Sequence, residues 1–296
     1  MASKPKRKEQ LMEKYINSAP LALVVVFLIV GFVFLIKGAD FFVEGSSSIA
    51  KKLKVPSIII GLTIVAMGTS LPETAVSVTA SMVHNNELAI SNVIGSNIFN
   101  LMFVIGVCSI LTPILVQRDT IVRDIPFSVL CALLLLGLGY LAIGDAHGMT
   151  LGHLDGILFL IIFAGYIFCM IRTAMKARAE GKKVEIEGVE EVEDGELKLL
   201  SYPKSLLFII GGAAAIAFGG DLTVDAASRI AIDLGMSQTL VGLTIVSIGT
   251  SLPELVTSVV AARKNEVDMA VGNAVGSNVF NILMVLGIAS AISPVS

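Results

Sequence analysis

A stretch of thirteen residues occurs twice in this chain, and its two copies cannot face the same way. Residues 61–73 read GLTIVAMGTSLPE and residues 242–254 read GLTIVSIGTSLPE. A second pair of echoes follows, NVIGSNIFN ending at Asn100 and NAVGSNVFN ending at Asn281. The offset is 181 residues throughout, and it also carries Asp40 onto Asp221, Glu44 onto Asp225 and Pro113 onto Pro294. Across 61–82 and 242–263, 14 of 22 positions are identical, a register that marks a duplicated structural unit.

The surroundings of the copies set their orientation. With 55% hydrophobic residues, 15% charged residues and a mean hydropathy of +0.86, the chain is excluded from the ordinary soluble domains and reads as a polytopic membrane protein. A bilayer-spanning helix needs about 20 mostly apolar residues. On that rule there are eight spans, at 21–43, 57–82, 88–111, 125–144, 154–173, 204–230, 239–262 and 268–292. The first is expected to be a retained span, because Lys37, Asp40 and Glu44 follow without the small-residue pattern of a cleaved signal. Five spans separate corresponding points of the two copies. Five is odd, so the second copy enters the membrane from the opposite side. That is the inverted repeat of secondary transporters, whose substrate sites lie near the midplane between the repeats.

Charge placement orients the whole. Lys51, Lys52, Lys54, Arg118, Arg123, the segment 174–203, Arg263 and Lys264 fall in one set of alternate connections, and the other set holds only Arg229. The positive-inside rule puts the first set in the cytoplasm and the N-terminus outside. The basic tail within 1–20 (Lys4, Lys6, Arg7, Lys8, Lys14) runs against that assignment, and the short loops outvote it. The expected organisation is a tail at 1–20, a first repeat at 21–173 with motifs at 61–82 and 88–106, a linker at 174–203, and a second repeat at 204–296 with motifs at 242–263 and 269–287.

The linker turns from basic to acidic but lacks the alternating Asp/Asn/Gly spacing of a calcium loop, so it reads as a solvated connection. Cys108, Cys131 and Cys169 sit in apolar runs without metal-type spacing and read as lipid-facing or packing residues. His84, His147 and His153 fall in or near short connections and read as solvated. Asp40, Glu44, Asp221 and Asp225, near the ends of spans one and six, could line an ion entrance but read first as interfacial carboxylates. No cofactor, nucleic acid or obligate protein partner is expected. The lipid bilayer is the evident surrounding.

The chemistry is concentrated in the repeated motifs. Each carries one carboxylate, Glu73 or Glu254, in a span where burying a charge is costly unless it binds or moves something charged. Glu73 lies roughly 5 Å along the axis from the centre of its span. Thr69 and Glu73 are four apart, and Ser70, Glu73 and Ser77 fall at i, i+3 and i+7, which predicts one hydroxyl-rich helical face around the acid. Pro72 lacks an N–H, so it kinks the helix and frees the Gly68 carbonyl, an arrangement tolerated at membrane depth only where something satisfies the oxygen. Thr250, Ser251, Pro253 and Glu254 repeat the device. Ser96 and Asn100, and again Ser277 and Asn281, are four apart and add oxygen from the following spans. Gly95 and Gly276 are expected to let those spans approach the broken ones closely. Asn97 and Asn278 suit interhelical hydrogen bonding as well as ion contact.

Carboxylate, hydroxyl, amide and backbone oxygens are the ligands of hard cations such as calcium; soft or imidazole-preferring metals lack their Cys and His. Two ionised glutamates balance one divalent ion or two monovalent ones, a charge that lets calcium and sodium compete. An intramembrane aspartyl protease would need a water-activating carboxylate dyad, normally of aspartates, whereas these acids are glutamates among hydroxyls.

The paired GTSLPE and GSN-x-F-N segments resemble the two alpha repeats of the sodium/calcium exchanger family, of prokaryotic type, within the cation/calcium antiporter superfamily. The resemblance extends from about residue 21 to the C-terminus. It implies an all-α polytopic protein of the prokaryotic inner membrane with the inverted-repeat exchanger fold. Ten helices stand in two sets of five, helices 2, 3, 7 and 8 form the ion-binding core, and helices 1 and 6 slide across it. It implies exchange of several sodium ions for calcium, with a calcium/proton antiporter using the same glutamates as the alternative. By position, the side-chain ligands are Thr69, Ser70, Glu73, Ser96 and Asn100 with Thr250, Ser251, Glu254, Ser277 and Asn281, while Ala66 and Ser247 match positions that offer backbone carbonyls. Potassium-dependent relatives tend to carry Asp where this chain has Asn281, which implies potassium independence. Eight helices of the expected ten are present, since the sequence stops at Ser296 soon after span eight.

Overall fold

The computed structural model of the protein describes residues 16, 19–141, 150–180, 199–241, 244–245 and 247–295. They are almost wholly helical; the one extended feature among them is an isolated antiparallel bridge between Leu151 and Val295. Helix α1 is Leu21–Leu53, α2 is the broken pair Ser57–Thr69 and Leu71–Met82, α3 is Glu87–Leu111, α4 is Thr120–Tyr140, α5 is His153–Ala179, α6 is Tyr202–Asp233, and α8 is Val267–Ile292. The seventh span is visible as Gln238–Val241, Ser247–Gly249 and Leu252–Arg263, together called α7. Among the described residues, six helices are long and apolar enough to cross a membrane, and α2 makes a seventh if its two halves are one span. The first half of α7 includes residues outside that set.

Several boundaries differ from the expected ones. Helix α1 runs ten residues past the apolar stretch, because Ser46, Ser47, Ser48 and Ala50 are buried against protein and sustain the helix beyond hydrocarbon depth. It stops at Lys54, whose left-handed backbone (φ 54°, ψ 43°) carries its amide to the carbonyl of Lys51, with Pro56 next. Lys51 and Lys52 in its last turn complement the helix dipole. Helix α5 continues into the expected linker. The acidic part of that linker and His147 lie outside the described residues.

Two layers result. Helices α1 and α6 form an antiparallel pair whose backbones nearly touch. A Cβ at Gly38 would meet the Gly212 carbonyl oxygen at 3.0 Å, and one at Gly212 would meet the Gly38 oxygen at 2.7 Å. Edge-on and tilted ring pairs, Phe34–Phe218 and Phe41–Phe208, lock the flanks. Helices α2, α3, α7 and α8 form the second layer. Gly276 of α8 lies against the backbone of Leu62 in α2, where a Cβ would stand 2.8 Å from its Cα and carbonyl oxygen. Gly95 of α3 does not repeat this. Among the described residues a Cβ there meets nothing within 4 Å. The cause is a difference in cover, since α4 and α5 pack on α8 through Phe163, Phe159, Leu134 and Leu138, while α3 leaves Met102 75% and Ile110 86% exposed.

The basic connections do share one end of the bundle. There Lys51 pairs with Glu266 at 3.0 Å, Lys264 with Asp40 at 3.3 Å, and Gln117 donates to Asp268 at 2.6 Å. Ser47 and Ser57 also donate to Glu266. At the other end His84 stands 3.1 Å from the Ser293 hydroxyl and His153 3.1 Å from the Ala291 carbonyl, so both histidines engage the end of α8 instead of facing solvent alone.

Candidate functional site

The site forms where the two broken helices meet. In α2 the chain bends by 49° at Ser70, whose backbone (φ −83°, ψ 11°) leaves helical geometry. Pro72 then stands in the first turn of the new helix, where a missing N–H costs nothing. Ser251 (φ −94°, ψ 4°) and Pro253 repeat the break in α7. Wide π-helical turns at Gly61–Val65, Phe99–Val104 and Asn281–Leu286 flank it, and such turns are frequent at functional sites because they offset the carbonyl ladder. Tyr166 of α5 donates its hydroxyl to the Leu62 carbonyl, within the first of these turns, at 3.3 Å.

Glu73 and Glu254 are both fully buried. Each is reached by the serine at the break of the other repeat. Ser70 of the first repeat donates to Oε1 of Glu254 at 3.0 Å, and Ser251 of the second donates to Oε1 of Glu73 at 3.1 Å. Ser96 reaches the same Glu73 oxygen at 3.4 Å and lies 2.9 Å from Ser251. Spacing along a straight helix predicted hydroxyls around each motif's own acid; the bend at Ser70 turns that hydroxyl away from Glu73 and into the other repeat. Ser77 belongs elsewhere too, reaching the Ala89 carbonyl at 3.4 Å. Thr69 stands 3.5 Å from Ser277, so these two predicted residues meet across the repeats. The Ala66 carbonyl receives the Ser70 amide at 3.0 Å. Ser247 is described by its backbone alone, in the short helix before the break of α7.

Four asparagines close the pseudo-two-fold axis. Asn97 donates to the Asn278 carbonyl and Asn278 to the Asn97 carbonyl, each at 3.3 Å. Asn100 then donates to Oδ1 of Asn278 at 3.3 Å and Asn281 to Oδ1 of Asn97 at 3.1 Å. Both amide nitrogens of the outer pair are thereby turned toward the inner pair. Among the described residues, four buried carboxylate or amide oxygens are left accepting no hydrogen bond, and they form two repeat-related pairs, Oε2 of Glu73 and Glu254 and Oδ1 of Asn100 and Asn281; the other buried side-chain atoms without a partner are all hydroxyls. Buried acceptors without partners cost about 1–3 kcal/mol each, more when charged. A hard cation is the ligand that such oxygens suit.

Two further asparagines escaped the sequence reading. Asn92 donates to the Glu73 carbonyl at 3.4 Å and to Ser77 at 3.0 Å, and receives the Thr250 hydroxyl at 3.3 Å. Asn273 donates to the Glu254 carbonyl at 3.3 Å and to Ser258 at 2.9 Å, and receives the Thr69 hydroxyl at 3.0 Å. Their signal was present, since both are amides inside apolar spans at the constant offset, four residues before Ser96 and Ser277.

A model of the family described as sodium/calcium exchanger protein matches residues 23–172 and 204–296. The chain belongs to the sodium/calcium exchanger family. CaxA of Alkalimonas amylolytica is 40% identical over 278 residues, covering 93% of this chain and 82% of the relative. The sodium/calcium exchanger MaX1 of Methanosarcina acetivorans is 32% identical over 309 residues, covering 95% of this chain and 84% of its own length. Among solved structures, the sodium-calcium exchanger NCX_Mj soaked with 2.5 mM Na+ and 10 mM Sr2+ is similar with a TM-score of 0.74 at 33% identity, over 93% of this chain and 84% of that one. The exchanger fold is therefore that of a multi-pass integral membrane protein, and the expected all-α inverted-repeat architecture stands.

Proposed function

We propose that this chain is an antiporter that exchanges sodium for calcium by alternating access, using one midplane site between its repeats. The observation that carries the reading is the matched set of unpartnered oxygens on Glu73, Glu254, Asn100 and Asn281. Two carboxylates facing the same small volume repel each other unless a cation lies between them. One calcium ion balances both charges; sodium ions balance them as well, but not at the same time. Thr69, Ser70, Ser96, Thr250, Ser251 and Ser277 supply neutral oxygens that hold either ion without changing that balance, and the Ala66 and Ser247 carbonyls add to them. No bond of a substrate is made or broken, so the reading is of a transporter and not an enzyme.

The repeats supply the motion. In an inverted pair, each half offers the same opening to its own side of the membrane. The α1–α6 pair, whose backbones approach closely at Gly38 and Gly212, is the element that would shift as one body across the core. The clustering of Lys51, Lys264 and Gln117 at one end supports a cytoplasmic face there.

Calcium uptake into liposomes containing the purified chain tests this. An outward sodium gradient should drive uptake, and an equal pH gradient without sodium should not. Uptake driven by the pH gradient alone would assign the same glutamates to calcium/proton exchange. Absence of uptake under either gradient, with calcium still bound by the protein, would contradict transport.

A further inference from the structure

We propose that Asn273 and Asn92 are positioning residues that commit the hydroxyl protons of Thr69 and Thr250, and so turn the hydroxyl lone pairs toward the transported cation. This role rests on the reading of the site as a cation site. The Glu254 carbonyl can only accept, so the end of Asn273 that lies 3.3 Å from it must be the nitrogen, which also reaches Ser258 at 2.9 Å. Oδ1 is thereby left facing Thr69. Amide oxygen and hydroxyl oxygen stand 3.0 Å apart, a distance two acceptors hold only with a proton between them. Oδ1 carries none, so Thr69 donates.

A hydroxyl has one proton. The Val65 and Ala66 carbonyls, at 3.2 and 3.3 Å, compete for it from within the helix, and the Ser277 hydroxyl, at 3.5 Å, from across the repeats; each would leave the lone pairs in a different direction. Asn273 wins by distance and reaches in from the other repeat. The same logic applies to Asn92, fixed by the Glu73 carbonyl at 3.4 Å and receiving Thr250 at 3.3 Å. Each asparagine thus ties the backbone of one repeat's glutamate to the hydroxyl of the other repeat's threonine. Thr69 and Asn273 are fully buried, so water offers no substitute acceptor.

The test is a double-mutant cycle on cation affinity, measured as calcium binding to the purified full chain in sodium-free buffer and as its displacement by sodium chloride. Asn273→Leu removes the acceptor and should weaken binding about tenfold, the worth of one buried hydrogen bond. Thr69→Val should do the same. The double variant should bind no more weakly than Thr69→Val alone, because the asparagine acts through that hydroxyl. In a Thr69→Ser background, which keeps the proton, Asn273→Leu should regain its full effect. Additive losses, or an effect of Asn273→Leu that persists beside Thr69→Val, would overturn the proposal. If Asn273→Leu does not fold, Asn273→Ser, polar but too short to reach, runs the same cycle, and Asn92 with Thr250 gives an independent one. Glu254→Gln separates the two levels: wild-type binding in that variant defeats the cation-site reading itself, whereas lost binding there together with additive asparagine effects defeats only this inference.

Discussion

Ser70 places its hydroxyl 3.0 Å from Oε1 of Glu254, a residue 184 positions later in the chain and in the opposite repeat. Ser251 does the same for Glu73 at 3.1 Å. The acids are therefore exchanged between repeats, each supported by the break in the other half. Neither half can move its broken helix without disturbing the carboxylate of its partner.

Ser70→Ala and Ser251→Ala should consequently have matched effects. Each removes one hydrogen bond to a charged group, worth about 1.5–3 kcal/mol, so calcium affinity should fall by about ten- to a hundredfold in both. Isotherms for the two variants check this, and a loss confined to one of them would show that the repeats do not share the site equally.

The repeat-related glycines Gly276 and Gly95 make an asymmetric prediction. Gly276→Ala pushes a methyl against the Leu62 backbone, which has nowhere to go, and should cost about 1–3 kcal/mol of stability. Gly95→Ala, with nothing in reach among the described residues, should leave the unfolding temperature unchanged. Thermal unfolding in detergent compares them.

At the basic end, Glu266 accepts from Ser47, Ser57 and Lys51. Glu266→Ala strips acceptors from two hydroxyls and should cost about 1–3 kcal/mol. Lys51→Ala removes only a half-exposed ion pair and should cost less than about 1 kcal/mol, and less still at high salt. Denaturation of both variants at two ionic strengths distinguishes these contributions.

Asn281 is the position from which the resemblance implies potassium independence, and its Oδ1 is one of the four unpartnered carboxylate and amide oxygens. Sodium-driven calcium uptake should be the same with and without potassium. Stimulation by potassium would remove the basis for that expectation, and Asn281→Asp is the variant in which to look for its appearance.

Much of this was legible before any coordinates. The constant offset gave the inverted repeat, and an odd number of intervening spans gave its sense. The residue types of the motifs gave the oxygen-rich site. The pairing of hydroxyls with acids stayed hidden for a physical reason. Spacing along a helix tells which side chains share a face only while the helix is straight. At Ser70 and Ser251 it is not, so the hydroxyls assigned to each acid belong to the other. Asn92 and Asn273 went unread because an amide in a span serves packing as well as function, and only the partner across the repeat decides which. The extra length of α1 was hidden for another reason: its last ten residues are mostly polar, and burial of Ser46, Ser47, Ser48 and Ala50 against protein sustains them.

The central claim is that Glu73 and Glu254 jointly hold one cation. Calcium binding to the purified chain, to Glu73→Gln, to Glu254→Gln and to the double variant measures it most directly. Each single substitution should abolish high-affinity binding, and the double should lose no more than either, because half of a two-carboxylate site cannot balance a divalent ion. A single variant that binds calcium like the wild type, or two independent partial losses that add, would contradict it.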